Sequence, residues 1–158
     1  MKKQNPKNKK MRKMTGLGNK IGSFVSGSFT KLMLRQKSDK DFEIGELIVA
    51  GNSMDEYSIF QIKDLFYGSQ IPDISLELMA GYGLERERSN LKIYEPELRN
   101  YVLAYARELI SIRKNKVSEK YDITIPKKLP KFFSDVFELE ESHLQFFKEE
   151  EIDAIKSW

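Results

Sequence analysis

The chain has 158 residues, 40% of them apolar, with ten Phe, seven Tyr and no cysteine. That length fits one domain with a real core, the aromatic content argues against a wholly disordered chain, and the missing cysteines exclude disulfides and thiolate metal sites. The net charge of +3 conceals a division: the first 37 residues carry eleven basic and no acidic side chains, leaving sixteen basic and 24 acidic ones for the other 121.

An acid-free basic end is the composition of a segment that seeks a polyanion, joined to an ordinary acidic body. No apolar run approaches the ~18 residues that span a bilayer. A secretory leader is not expected, because Gly16, Gly18, Asn19, Lys20, Gly22 and Ser23 interrupt any apolar stretch behind the basic residues. The setting expected from this is the cytoplasm or a particle assembled there.

Residues 1–13 read MKKQNPKNKKMRK, and seven of the thirteen are basic. Pro6 and two Asn interrupt a helix, so a basic tail is expected in isolation. In residues 17–34, Leu17, Ile21, Phe24, Val25, Phe29 and Leu32 follow one another at helical steps and predict an amphipathic face. Glycines from 16 to 27 each cost about 1 kcal/mol in a helix, so this face is expected to order only when a partner covers it. Residues 1–37 are therefore read as an N-terminal arm, with a body at 42–158.

Within the body, FEIGELIVA at 42–50 reads as a short strand ended by Gly51-Asn52. Ser53 with Glu56 fits a capping box and predicts a helix over 54–67. Asp73, after Pro72, is the expected N-cap of a second helix ended by Gly81 and Gly83. Pro96 in a first turn, then Leu98, Tyr101, Val102, Tyr105, Leu109 and Ile112 on one face, predicts a central helix over 96–114. Tyr121, Ile123 and Ile125 alternate before Pro126 as a short edge strand. Pro130 is expected to open a helix to about Leu139, and Ser142 to cap a last one running almost to Trp158. The expected fold is thus mainly α: a small helical domain with one or two short strands and an extended basic arm.

Candidate chemistry is sparse. Gly16-Leu17-Gly18-Asn19-Lys20 has the wrong spacing for a phosphate loop and no strand before it. His143 is the single histidine, and adjacency to Ser142 does not make a catalytic pair. Glu138, Glu140 and Glu141, and then Glu149, Glu150, Glu151 and Asp153, are contiguous and fan around a helix without converging on a metal. No catalytic residue, metal ligand or cofactor is assigned. The C-terminal Phe132, Phe133, Phe137, Phe146, Phe147 and Trp158 exceed what two short helices bury, so some are expected at an interface.

These readings predict a non-enzymatic structural or accessory subunit of a nucleoprotein assembly, such as a phage particle or a DNA-processing complex. Nucleic acid is the first expected partner. Lys2, Lys3, Lys7, Lys9, Lys10, Arg12, Lys13 and Lys20 are the expected phosphate contacts, independent of base sequence. Leu17, Ile21, Phe24, Val25, Phe29 and Leu32 are the expected interface of a homo-oligomer or larger assembly. Two other classes compete: a membrane-surface adaptor with an amphipathic basic N-terminus, and a small enzyme without a recognisable motif.

Overall fold

A computed structural model describes residues 16–85 and 100–148. Among these residues the elements run in the order β1 (Lys20–Ser28), β2 (Lys31–Gln36), β3 (Leu47–Ser53), β4 (Glu56–Ser69), α1 (Asp73–Glu85), β5 (Asn100–Lys114), β6 (Tyr121–Thr124) and β7 (Asp135–Glu138). A 3-10 turn follows at Glu141–Leu144. The strand order is β2-β1-β7-β3-β4-β5-β6, and β5 also pairs back onto β2. All pairings are antiparallel, so six strands close into a barrel and β6 extends the far half of β5. The expected mainly α fold is therefore wrong.

Each of the six barrel strands sends side chains into one core: Ile21 and Phe24, Leu32 and Leu34, Ile48 and Ala50, Phe60 and Ile62, Ala104 and Ala106, and Val136. Phe42, ahead of β3, joins them, and Phe24 and Phe60 meet with ring centres 5.1 Å apart. A second cluster lies on the other face of the wall. There Val49, Tyr57, Ile59, Ile112 and Phe137 are covered by Leu17 and Phe146 from the two flanking segments. The wall strands thus bury both faces, which turns period-two alternation into continuous runs such as LIVA in β3.

Local reasons for each correction are visible. The apolar positions of 17–34 mimic a helix because β1 is irregular: its register slips between Lys20 and Gly22 against β7, and between Phe24 and Ser26 against β2. A slip lets Ile21 and Phe24, an odd number apart, enter the same core. The glycines that penalise a helix suit this strand. A Cβ on Gly22 would sit 2.6 Å from the Arg35 carbonyl oxygen, so the β1–β2 approach requires glycine. β2 alternates cleanly, with Leu32 and Leu34 buried and Lys31, Met33 and Arg35 outside.

The capping-box residues Ser53 and Glu56 instead face each other across the β3–β4 turn, where the Ser53 hydroxyl accepts the Asp55 N–H at 3.2 Å. The same short side chain serves turns as readily as caps. The helices expected over 54–67 and 96–114 are β4 and β5, paired from Glu56–Arg113 to Ser69–Asn100. Slips at Ile59/Phe60 and Ile62/Asp64 reset the inward face and produce spacings of three and four. Leu109, expected in the core, is 39% exposed. Residues 96–99 lie outside the described residues.

The helix expected after Pro130 is a connection followed by β7. The last helix is confined, among described residues, to the 3-10 turn and the helical residues 145–148. The edge strand before Pro126 and the helix starting at Asp73 stand where expected, although α1 continues through Gly81 and Gly83.

Candidate nucleic-acid interface

The structure places the sequence-derived site residues in three groups. Lys2, Lys3, Lys7, Lys9, Lys10, Arg12 and Lys13 lie outside the described residues. Lys20 opens β1 and is paired with Asp135 at 2.9 Å. Of the expected interface, Leu17, Ile21, Phe24 and Leu32 are buried by the chain's own strands. Val25 is half-buried, and Phe29, at the β1–β2 turn, is 42% exposed. These six do not form one exposed face.

Three other basic residues of the first 37 are also engaged within the fold. Lys37 is paired with Asp39 at 3.0 Å, Lys31 lies over the Tyr105 ring and Arg35 over the Tyr101 ring, each at 4.0 Å. The charge excess of this part of the chain thus concentrates in residues 1–13.

A surface feature with chemical character lies elsewhere. The connection from β6 to β7 runs as a ledge across the wall formed by β3, β4 and β5, and a cleft of ≈ 470 Å³ opens between them. The ledge reads Ile-Pro-Lys-Lys-Leu-Pro-Lys-Phe-Phe over residues 125–133. Pro126 is buried and Pro130 half-buried, and each fixes its own φ, so the backbone is held at two points. Between and beyond them Lys127, Lys128 and Lys131 are exposed, and none has an ion-pair partner among the described residues. Phe132 and Phe133 are 66% and 68% exposed, set edge-on to each other with centroids 4.3 Å apart.

The end of the ledge is pinned to β1. The Phe133 N–H donates to the Phe24 carbonyl at 3.1 Å, and the Phe24 N–H donates to the Ser134 carbonyl at 3.0 Å. The Ser134 hydroxyl donates to the Lys131 carbonyl at 2.6 Å, closing the turn. Phe133 holds φ at 59°, a left-handed conformation that a bulky side chain seldom adopts.

Polar groups stand among the apolar residues that line the cleft. The Ser58 and Ser111 hydroxyls are 2.6 Å apart, and Ser111 donates to the Glu108 carboxylate at 3.3 Å. Burial pushes the Glu108 carboxyl above the usual carboxylate range, partly offset by the Ser58 and Ser111 hydroxyls. At one end Glu56 accepts from Asn52 at 3.0 Å and from Arg113 at 2.5 Å. The Asn52 amide and the Arg113 guanidinium hold its carboxyl below the usual range. The cleft therefore offers hydroxyl, amide and carboxyl groups to a guest, beside the exposed Lys127, Lys128 and Lys131.

His143 belongs to the packing. It is buried, and its Nδ1 accepts the Glu140 N–H at 2.8 Å. Its carbonyl accepts the Tyr57 hydroxyl at 2.6 Å, and burial pushes that phenol up to about 12. Nε2 lies toward the Leu17 backbone without a hydrogen bond of normal geometry. Burial pushes the imidazole below its ordinary value, with the charge of Glu140 and backbone contacts working against that. It joins the segment before β1 to the segment after β7.

Among the described residues no group of three His, Asp or Glu side chains could hold a metal ion, and no helix is long and apolar enough to cross a membrane. Sequence reasoning missed the ledge by counting Phe132 and Phe133 into a helix. The signal was present in the paired prolines bracketing two lysines. No family model matches the sequence, and no curated protein is significantly similar to it.

Proposed function

We propose that the chain is a structural or accessory, non-enzymatic subunit of a nucleoprotein assembly, built on a small β-barrel. The observation that carries this reading is the charge division. Seven of the first thirteen residues are basic with no acid among them, and Lys20, Lys31, Arg35 and Lys37 already have partners within the fold. A cationic segment of that composition binds phosphates without demanding a fixed geometry.

Two features of the barrel support a scaffold role. Its interior is filled by its own side chains, so function is carried on the surface. α1 buries none of its residues and leaves Ile74, Leu78, Tyr82 and Leu84 exposed. α1 also carries Asp73, Glu77 and Glu85 and no basic residue, the sign opposite to the N-terminal segment. A neighbouring copy, which brings a second basic segment, is the occupant that suits it.

Deleting residues 1–13 is expected to weaken binding to any DNA or RNA about equally, and binding by the full chain to fall steeply with added salt. Fluorescence anisotropy at several salt concentrations measures both. Equal binding by the full-length and shortened chains at low salt overturns the role of the segment. The replacements Leu78→Ser and Tyr82→Ser are expected to reduce self-association in light scattering without unfolding the barrel.

A further inference from the structure

The ledge between β6 and β7 combines exposed lysines with exposed rings, two chemistries that neither the core nor the fold's own ion pairs use. We propose that residues 125–133 form a binding site for single-stranded nucleic acid, with Phe132 and Phe133 as stacking faces and Lys127, Lys128 and Lys131 as phosphate contacts. This rests on the nucleoprotein reading above and adds a second contact surface and a preferred strand type.

Three observations converge. First, the ledge carries three exposed lysines within five residues, none of them in an ion pair among the described residues, although the Lys131 charge is close enough to Glu56 to help lower its carboxyl. Second, the phenylalanine pair is left in water although Val136 and Phe137, a few positions on, are buried. Packing does not account for two adjacent exposed rings, whereas unpaired bases stack on such rings whatever their identity. Duplex bases are already stacked on each other and offer no free face, which selects a single strand.

Third, the rings are presented by a backbone fixed in advance. Phe133 is held at φ 59° by the reciprocal hydrogen bonds with Phe24 and by the Ser134–Lys131 turn. A strained residue that the surroundings hold in place is characteristic of ligand clamps, and a ledge already ordered loses little freedom on binding.

The cleft beside the lysines favours this ligand over an anionic bilayer. Among its lining residues Ser58, Ser111, Asn52 and Glu108 can hydrogen-bond the edge of a base. An acyl-chain surface leaves those groups facing hydrocarbon.

The test uses the full chain, a labelled oligothymidylate of roughly 20 nucleotides, longer than one barrel's usual footprint, and a duplex of equal length. Phe132→Ser with Phe133→Ser is expected to weaken single-strand binding about tenfold or more, as loss of base stacking does. Duplex binding, carried by residues 1–13, should stay unchanged. Phe132→Tyr with Phe133→Tyr keeps both stacking faces and is expected to keep single-strand affinity, which separates ring loss from misfolding. Lys127→Gln, Lys128→Gln and Lys131→Gln together should lower the slope of log affinity against log salt by about two.

If the wild-type chain binds the oligonucleotide and the Phe-to-Ser variant binds it equally well, the ledge is overturned and the nucleoprotein reading stands. If the wild-type chain binds neither strand form, both fall. If the Phe-to-Ser change abolishes binding to phosphatidylserine vesicles and leaves the oligonucleotide unaffected, the surface is a membrane contact and the proposal is wrong.

Discussion

β4 and β5 form one continuous ladder, yet its two halves differ in kind. In the half nearer the β3–β4 turn, Tyr57, Ile59, Phe60 and Ile62 are buried and the partner strand contributes Ala106 and Ile112. In the other half, residues 63–69 include no buried side chain, and α1 beyond it has none. The backbone pairing continues to Ser69–Asn100 in both. Hydrogen bonds exchanged against water contribute little net stability, so a shared ladder does not give the halves equal strength. Beyond Leu65 and its buried partner Ala104, the outer half depends on surface pairs: Phe66 stacks on Tyr105 at 4.8 Å, and a Cβ on Gly68 would collide with the Tyr101 ring that covers it.

Truncating one large apolar side chain in the barrel and one on α1 separates the two regions most strongly. Phe60 is 1% exposed and sits between strands of the closed barrel. Phe60→Ala is expected to destabilise by about 3–5 kcal/mol, the transfer loss plus the cavity. Leu78→Ala in α1 should move the monomer's denaturation midpoint by less than about 0.5 kcal/mol, as surface changes do. Urea titrations of both variants measure this. Equal costs would mean that α1 is part of the core.

His143 marks the barrel end in a second way, because it ties the two flanking segments to the wall. His143→Ala leaves the Glu140 N–H without its acceptor and is expected to cost about 1–3 kcal/mol. The pH dependence has a definite sign. The folded chain holds the imidazole below its ordinary 6.5, so just below 6.5 the unfolded chain binds more protons. Stability should be level above about 6.5 and fall as pH drops through the folded value. Denaturation midpoints across that range measure the slope, and the His143→Ala variant should lack this component of it.

The contrast between the halves also explains what was legible beforehand. The edge strand β6 was readable because Tyr121, Ile123 and Ile125 alternate without a bulge and Pro126 ends the run. The start of α1 was readable from Asp73 alone, since a cap is a local device. The barrel was hidden for a physical reason. Its register slips fall at Lys20/Gly22, Phe24/Ser26, Ile59/Phe60 and Ile62/Asp64, within the strands read as helices. Each slip inserts an odd spacing into a period of two, and steps of three and four result. Strands buried on both faces removed the remaining alternation. Of the candidate site, the basic tail was visible as composition. The ledge was visible only as two prolines bracketing two lysines, because it is the pairing of Phe133 and Ser134 with Phe24 that shows the chain there to be pinned and its rings left outside.

The outer half itself can be probed through Phe66. Phe66→Ala removes the stack on Tyr105 and is expected to cost about 0.5–1.5 kcal/mol, the usual worth of an aromatic pair. Its readout is local. Amides of residues 66–69 and 100–102 should exchange with solvent faster, while those of Ile59, Phe60, Ile62 and Ala104 keep the protection of the closed barrel. Uniform acceleration along β4 would show that the halves unfold together and that the comparison is too sharp.

The smallest expected effect discriminates most cleanly between the two readings of β5. On a helix over 96–114, Leu109 lies in the middle of the apolar face, and Leu109→Ala would cost about 2–5 kcal/mol. On the strand, Leu109 is 39% exposed and Ile112 is buried at 1%. Leu109→Ala should then cost less than about 0.5 kcal/mol, and Ile112→Ala several times more. The two residues are three apart and neighbours on a helix, whereas on β5 Leu109 is the extra residue of the slip between the Ile59–Ile110 and Phe60–Glu108 pairs and stays exposed while Ile112 is buried. Their ratio therefore reports the backbone geometry directly. It does so without any assumption about α1, the ledge or a partner, because Ile112 packs within the cluster on the outer wall whether or not anything is bound.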